Sequence, residues 1–440
     1  MQTHFLTYMA LALSACGRMD LETSSAGPDS ATDKDARRCT FQGFAPAVVY
    51  PTANEPLSIL AVDRTHDGHL DLVVGEESSG NASSELFINA GNGTFTASST
   101  YGASGNNVMT MVVADFNGDG RLDLASHSNA GINADLTDHT TGRLGIDFGT
   151  GGGLFASQLI TYATPQTDGF IAAGDFDGDG HPDLAFAGNN METKFGGLPA
   201  PEPTDYALNV FLNAGDGTFG APVVYANPNW LQFANIATGD FNGDGHVDIA
   251  ELTSTTTTDG GVTVYFNQGD GSFASPVALV ANSTWSTYGI AVADFNGDGI
   301  DDVATTTVMN VNEANEATVI DVFLGASNGS FIGPVSSSMA MTPVANTIVT
   351  GDFNGDGLPD VAMLPLGNMP PLAVSVFPNR GDGTFAAPVT YGVGGEQSEW
   401  ATGIAAGDFN GDGVTDLAVT MSGESTPTPL AMNVLLSICE

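Results

Sequence analysis

Short apolar runs separated by polar, glycine-rich turns cover most of this 440-residue chain. Some runs are continuous, as in Leu184–Phe186, and others alternate apolar and polar positions, as in Leu208–Leu212 and Val262–Phe266. Alternation with a period of two predicts half-buried β-strands, and no segment carries the 3.6-residue period of a helix. The pattern therefore predicts an all-β protein.

The runs repeat in a unit of roughly 57 residues, and repeats take precedence over other organisation. Each unit contains the nine-residue string Asp-Phe-Asn-Gly-Asp-Gly-x-x-Asp or a variant of it, between a first and a second strand. The copies occupy residues 63–71, 115–123, 175–183, 240–248, 294–302, 352–360 and 408–416, of which the first is degraded. A third strand, a tight turn such as 213–219 and a fourth strand complete the unit. Four short strands with glycine-rich turns are typical of a propeller blade.

The seven repeats resemble the FG-GAP/VCBS family, whose relatives form the seven-bladed head of integrin α subunits. The resemblance implies a seven-bladed β-propeller with four-stranded blades over residues 39–440. It is carried by seven matches in register, so it covers most of the chain.

The last unit stops after its third strand, Met432–Leu436, and Phe44–Tyr50 resembles a fourth strand that no earlier strands precede. Closure of the ring by strand exchange between the N- and C-termini is therefore predicted, because it pairs two exposed edges. Cys39 and Cys439 flank this junction, where other units have their tight turn. A disulfide between them is expected in an oxidising compartment, and two free thiols are the alternative.

The nine-residue loops carry oxygen ligands at positions 1, 3, 5 and 9, with a backbone carbonyl at position 7. Calcium prefers about six to eight oxygens in a flexible arrangement. The candidate ligands are Asp63, Asp67 and Asp71; Asp115, Asn117, Asp119, Arg121 and Asp123; Asp175, Asp177, Asp179, His181 and Asp183; Asp240, Asn242, Asp244, His246 and Asp248; Asp294, Asn296, Asp298, Ile300 and Asp302; Asp352, Asn354, Asp356, Leu358 and Asp360; Asp408, Asn410, Asp412, Val414 and Asp416. Six to seven structural Ca²⁺ ions are expected, and whether the first copy binds one stays open. The alternative is a set of Asx-rich turns without an ion.

Two motif matches in the loops and turns are interpreted as coincidental. Residues 240–251 fit an EF-hand pattern that ends at Glu251, but both flanks are predicted strands rather than helices. Arg380-Gly381-Asp382 spells the tripeptide that integrins bind, but it is one of the tight turns.

Nine Lys and Arg face 51 Asp and Glu, which gives a formal net charge of -42. Such a surface repels nucleic acid and anionic lipid, so neither is expected as a partner. Residues 1–15 are interpreted as a signal peptide, Cys16 as the lipidated residue of a bacterial lipoprotein, and residues 16–38 as a flexible tether. The protein is expected to be exported and to lie at the outer membrane or the cell surface as a lipoprotein, and plain secretion is the alternative. A lipid anchor is its sole expected contact with a membrane.

The segments that join the second and third strands vary in length and fall at the end of the blades opposite the metal loops. Trp230, Trp285 and Trp400 fall at that end too and are candidate anchors for an extracellular glycan or protein. The alternative is that they wedge between blades as core. The expected function is a non-catalytic, monomeric binding or adhesion scaffold. An extracellular polysaccharide-acting enzyme, lyase- or hydrolase-like, is the alternative function.

Overall fold

The computed structural model describes residues 41–77, 83–102, 107–129, 142–151, 154–164, 168–189, 206–226, 235–254, 260–281, 287–309, 317–340, 345–365, 372–394, 399–423 and 430–439. These residues form β-strands and turns and contain no helix. Within them there is accordingly no helix that could span a membrane. The prediction of an all-β fold of seven four-stranded blades is confirmed.

The strands fall into seven antiparallel sets, which we number as blades 1 to 7 in chain order. Blade 1 holds β3 (Glu55–Val62), β4 (Asp71–Glu77), β5 (Ser83–Asn89) and β6 (Phe95–Gly102); blade 2 holds β7 (Asn107–Ala114), β8 (Asp123–Asn129), β9 (Gly142–Gly151) and β10 (Leu154–Thr164); blade 3 holds β11 (Asp168–Gly174), β12 (Asp183–Asn189), β13 (Tyr206–Phe211) and β14 (Val223–Ala226). Blade 4 holds β15 (Ile236–Gly239), β16 (Asp248–Ser254), β17 (Gly260–Tyr265) and β18 (Val277–Val280); blade 5 holds β19 (Thr287–Ala293), β20 (Asp302–Met309), β21 (Ala317–Gly325) and β22 (Phe331–Ala340); blade 6 holds β23 (Ala345–Gly351), β24 (Asp360–Pro365), β25 (Ala373–Phe377) and β26 (Val389–Gly392). Blade 7 holds β27 (Glu399–Gly407), β28 (Asp416–Gly423) and β29 (Ala431–Leu435), with β2 (Val48–Pro51) as its fourth strand; β1 (Phe41–Phe44) pairs separately with β30 (Ser437–Cys439).

Blade 7 is built from both ends of the described chain. Its strand order is β2-β29-β28-β27, and Val48 lies opposite Val434. The predicted single strand Phe44–Tyr50 is divided in two, because β1 ends at Phe44 and β2 begins at Val48. Pro46 lies between them and has no N–H to continue a ladder. The N-terminal segment therefore makes two separate pairings with the C-terminal one.

Aromatic pairs connect neighbouring blades. Each intact loop has a buried phenylalanine at its second position. Most of these rings contact the phenylalanine that ends the tight turn of the next blade. The ring centroids are 5.7 Å apart for Phe116 and Phe219 and 5.5 Å apart for Phe95 and Phe409, in edge-to-face geometry. The second pair joins blade 1 to blade 7, so the same contact that connects consecutive blades also closes the ring.

The contact between blades 1 and 2 has a different composition. Arg64 is fully buried at position 2 of the first loop, where the other six copies have phenylalanine. In blade 2, Asp147 occupies the strand position that Phe211 holds in blade 3, and burial raises the pKa of Asp147 to about 7. Gly149 replaces the asparagine of the tight turn, and a Cβ there would lie 2.9 Å from Arg64 Nη2. The absence of a side chain at Gly149 therefore makes room for the buried guanidinium.

Candidate metal centres and the insert-bearing end

Each nine-residue loop connects the first and second strands of a blade, and its backbone N–H groups donate to its own acidic side chains. In the second copy, Asp115 Oδ1 accepts from the N–H of Asp119 at 3.1 Å, and Asp115 Oδ2 accepts from the N–H of Gly120 at 2.7 Å. Asn117 Oδ1 also accepts from the N–H of Asp119, at 2.9 Å. The backbone thus wraps around the side chains at positions 1 and 3 and holds them in place.

The aspartate at position 9 ties each loop to the tight turn of its own blade. Asp123 Oδ2 accepts from the N–H groups of Phe116 and Asn117 at 2.9 and 3.2 Å. Its other oxygen, Oδ1, accepts from the N–H of Gly149 at 2.7 Å. All seven position-9 aspartates are fully buried; in blades 1 to 6 they hold the loop to the tight turn, and in blade 7 Asp416 accepts from the N–H of Ser437 instead.

Burial in this setting disfavours a negative charge. Burial, and to a lesser extent the neighbouring loop carboxylates, raises the pKa of all seven position-9 aspartates above the ordinary value of 3.8. The pKa is raised to about 6 for Asp123, Asp183 and Asp416. It is raised to about 7 for Asp248, Asp302 and Asp360, and it is also raised for Asp71. Two of the seven loops contain an arginine and none contains a lysine. A cation bound among the carboxylates would stabilise their charged forms.

The third copy shows most directly which ligands converge. One carboxylate oxygen each from Asp175, Asp177 and Asp183, at positions 1, 3 and 9, lies within 4.8 Å of the others. Three oxygens at such spacing can coordinate one divalent ion. The other intact copies carry an asparagine at position 3, so the same three positions carry side-chain oxygens there.

Asparagines at the start of three tight turns connect the nine-residue loops of neighbouring blades. Asn213 Nδ2 donates to the carbonyl of Phe116 in the preceding blade at 2.8 Å and to that of Pro182 in its own blade at 2.9 Å. Asn379 makes the same contact with the carbonyl of Phe295 at 3.0 Å. The sequence analysis did not identify these residues, although asparagine opens four of the tight turns and its repetition was a usable signal.

The two motif matches have structural roles. Glu251 lies inside β16, is buried, and accepts a hydrogen bond from the Tyr265 hydroxyl at 3.0 Å. The segment around it is flanked by strands, as expected. Arg380 Nη1 donates to the carbonyl of Phe385 at 2.6 Å, and Asp382 accepts from Thr384, so the tight turn holds both of its charged side chains.

The insert-bearing end of the ring is described only in part. Trp400 lies near the start of β27, opposite Ser422, and is partly exposed. The strand runs from there to the loop at 408–416, so Trp400 is at the end away from the metal loops. Trp230, Trp285, Cys16 and Cys39 lie outside the described residues, as does much of each insert, and their roles stay predictions.

Comparison with protein-family models finds FG-GAP-like repeats at residues 63–126, 250–305 and 367–419. The first segment includes two of the nine-residue loops, and the others include one each. No curated protein matches the chain.

Proposed function

The chain is a seven-bladed β-propeller that carries FG-GAP-like repeats, and on this basis we propose that it is an exported, calcium-loaded, non-catalytic binding scaffold. The observation that supports the proposal is that the two ends of the blades differ in how uniform their loops are. Loops and tight turns at one end are hydrogen-bonded to each other, whereas the inserts at the other end differ widely in length. Variable loops on a rigid scaffold are where binding residues usually accumulate.

Calcium fits the donor set of the intact loops. Positions 1, 5 and 9 supply carboxylates, position 3 an amide or carboxylate oxygen, and position 7 a carbonyl, so every donor is oxygen. Hard oxygen donors of this kind suit Ca²⁺ better than softer transition metals. When bound, the ion would supply positive charge that balances the buried position-9 aspartate and its neighbours. Its role is structural, since the residues around it hold strands together.

A melting experiment tests the calcium proposal. A ligand that binds only the folded state stabilises it by mass action, by about 2.7 kcal/mol per site at a hundredfold excess over Kd. The melting temperature is therefore expected to fall sharply when millimolar calcium is replaced by excess chelator. An unchanged melting temperature in the wild-type chain would remove the proposal.

A variant pair in blade 4 localises the effect. Asp248→Asn removes a buried loop carboxylate, whereas Asp270→Asn alters an exposed tight-turn aspartate that accepts from Ser272 at 2.5 Å. Only Asp248→Asn should reduce both the number of bound ions, by one, and the calcium-dependent rise in melting temperature. Equal effects of the two substitutions would show that calcium acts through general surface charge.

The disulfide between Cys39 and Cys439 is part of the proposal. Phe41, two residues after Cys39, lies opposite Cys439 in the β1–β30 pairing. The two other cysteines of the chain, Cys16 and Cys39, lie outside the described residues, and Cys39 is the nearer of them in sequence to β1. The register favours Cys39 as the partner and leaves Cys16 for lipidation.

A non-catalytic role is favoured by the environment of the buried titratable groups. His127 is fully buried and its ring lies 4.6 Å from that of Phe186. Within the described part of the chain, neither ring nitrogen has a hydrogen-bond partner. Burial lowers the pKa of His127 to about 3, so this imidazole is neutral and has no proton-transfer partner. The buried loop aspartates are engaged in holding the turns.

The ligand of the insert-bearing end is proposed to be an extracellular glycan or protein. A glycan array with purified chain, with and without calcium, would identify the class. Trp400→Ala should lower affinity while Trp400→Phe, which keeps an aromatic face, should retain more of it. If Trp400→Ala lowers the melting temperature but leaves affinity per folded molecule unchanged, Trp400 is packing rather than ligand contact.

Export and lipidation rest on the N-terminal segment alone. Metabolic labelling with a radioactive fatty acid should label the wild-type chain and not a Cys16→Ser variant. A label that survives the substitution would place the anchor elsewhere, and absence of label in both would favour plain secretion.

A further inference from the structure

The degraded first loop, residues 63–71, keeps the hydrogen bonds around its first aspartate that the intact loops make. Asp63 Oδ1 accepts from the N–H of Asp67 at 3.2 Å, and Asp63 Oδ2 accepts from the N–H of Gly68 at 2.9 Å. Asp115 makes both of these bonds in the second copy. Position 1 is therefore placed as it is in an intact loop.

The ninth position is conserved between the two loops in the same way. Asp71 Oδ2 accepts from the N–H groups of Arg64 and Thr65 at 3.0 and 3.1 Å, and Asp71 Oδ1 accepts from the N–H of Asn89 at 2.9 Å. Asp123 makes the corresponding three bonds in the second copy. The backbone of the first loop is thus wrapped around the same centre.

One side chain in this loop lacks a partner. At position 3 of the second copy, Asn117 Oδ1 accepts from the N–H of Asp119, but Thr65 at the same position is shorter. The Thr65 hydroxyl oxygen is buried and has no hydrogen-bond partner among the residues that the structure describes. Position 3 is one of the three positions whose oxygens converge in the third copy. A buried hydroxyl without a partner is unfavourable, so a ligand that coordinates it would stabilise the loop.

His66, which follows Thr65, keeps the backbone conformation of the intact loops although that conformation is unfavourable for a residue other than glycine. His66 has a φ of +58°, and the glycine at the same position in the second copy, Gly118, has a φ of +71°. A non-glycine residue rarely adopts this left-handed conformation. The first loop has therefore lost the glycine but not the conformation that surrounds the centre.

We propose that the first loop is a seventh calcium site in which the Thr65 hydroxyl replaces the amide or carboxylate oxygen that the other copies have at position 3. Asp63, Asp67, Asp71 and the carbonyl of His69 complete the oxygen donor set. The inference rests on the proposed function, namely that the intact loops bind calcium. A neutral hydroxyl on a short side chain is a weaker ligand than a carboxylate, so this site should have the lowest affinity of the seven.

Counting the bound ions tests the inference on the full chain. Calcium stoichiometry is measured by native mass spectrometry and equilibrium dialysis for the wild type, Thr65→Val and Thr65→Asp. Thr263→Val is the matched control, because the Thr263 hydroxyl in β17 is likewise buried and without a partner but belongs to no loop. We expect seven ions in the wild type and in the control, and six in Thr65→Val. In Thr65→Asp we expect seven, with the weakest site tightened by about tenfold.

A melting comparison separates loss of the ligand from a folding defect. In excess chelator, Thr65→Val should be at least as stable as the wild type, because a methyl group replaces an unpaired hydroxyl. In millimolar calcium it should be the less stable of the two. This reversal is not expected for the Thr263→Val control.

Each other result overturns a defined part of the argument. Six or fewer ions in the wild type would show that the first loop is not a site. Seven ions in Thr65→Val would show that Thr65 is not a ligand. No bound calcium in any variant would remove the proposed function as well, whereas six ions in every variant would remove only the seventh site.

Discussion

The side-chain amide of Asn89 donates a hydrogen bond to the backbone carbonyl of Phe409 at 2.8 Å, across 320 residues of sequence. The same nitrogen donates to the carbonyl of Leu70 at 3.0 Å, and Asn89 Oδ1 accepts from the N–H of Gly91 at 3.0 Å. One buried side chain therefore joins the first metal loop, the first tight turn and the last metal loop. It makes at the closure the contact that Asn213 makes inside the ring.

Replacement of Asn89 by alanine should destabilise the closed ring. The substitution leaves two carbonyl groups and two turn N–H groups without their partner, and one unsatisfied buried group costs about 1–3 kcal/mol. We expect a loss of about 2–4 kcal/mol in the free energy of unfolding, measured by urea titration with calcium present.

Asn213→Ala is the matched control, because Asn213 donates to two carbonyls in the same way but between consecutive blades. Both variants should lose similar stability, but only Asn89→Ala should speed amide hydrogen exchange in β2 and β29, where the chain ends meet. Identical exchange in the two variants would show that the closure is no weaker than the other blade contacts.

The repeat made the fold predictable, since seven loops in register define seven blades and their strand order. The two pairings of the N-terminal segment were not predictable from it, because the missing N–H of Pro46 divides a segment that has the pattern of one strand. The convergence of Asp175, Asp177 and Asp183 in the third loop was predictable from residue type and spacing. Thr65 was not, because only its burial and its lack of a partner distinguish it from an ordinary substitution.

The calcium-free chain should become more stable as the pH falls from 7.5 to 5.5. Burial raises the pKa of Asp248, Asp302 and Asp360 to about 7 in the folded chain, against 3.8 as the ordinary value. A raised folded pKa gives stability that is fully present below pH 3.8 and is lost as the pH rises through about 7. Each of the three aspartates contributes on the order of 2 kcal/mol of stability as the pH falls from 7.5 to 5.5.

Calcium should reverse the direction of this pH dependence. The ion binds the deprotonated carboxylates, so its affinity falls as protons compete below about pH 7. Melting curves at both pH values, with calcium and with a chelator that still binds calcium at pH 5.5, should show opposite trends. Parallel trends under the two conditions would mean that the loop aspartates do not exchange protons for the ion.

Cys39 and Cys439 should form one linked peptide pair in exported protein, with Cys16 outside it. The bond would covalently fasten β1 and β30 beside the closure, and native disulfides typically contribute about 2–5 kcal/mol. Non-reducing peptide mass spectrometry identifies the pair. A reducing agent should lower the melting temperature of the wild type but not that of a Cys39→Ser/Cys439→Ser variant. Two free thiols would refute the bond while leaving the β2–β29 pairing intact.

Arg64 and Gly149 should be energetically coupled, because they replace the phenylalanine and asparagine that occupy these two positions at four of the other six blade contacts. A side chain at Gly149 would collide with the carbonyl of Leu122 and with Arg64 Nη2. Overpacking of a dense interior costs about 1–3 kcal/mol, so Gly149→Asn alone should be destabilising. Arg64→Phe alone should also be destabilising, since the space beside Gly149 would lose the guanidinium that fills it.

The double variant Arg64→Phe/Gly149→Asn gives this contact the composition of four of the other blade contacts and should lose less stability than the two single losses together. Contacting residues usually show an interaction energy of about 0.5–3 kcal/mol in such a cycle, measured here by urea unfolding. Gly325→Asn in blade 5 is the control. A Cβ at Gly325 would lie 2.5 Å from the carbonyl oxygen of Asp301 and 2.7 Å from that of Phe241, so this substitution should also be destabilising, but it lies in another blade than Arg64. Its loss of stability and that of Arg64→Phe should therefore simply add. Strict additivity at Arg64 and Gly149 would show that the two replacements are independent.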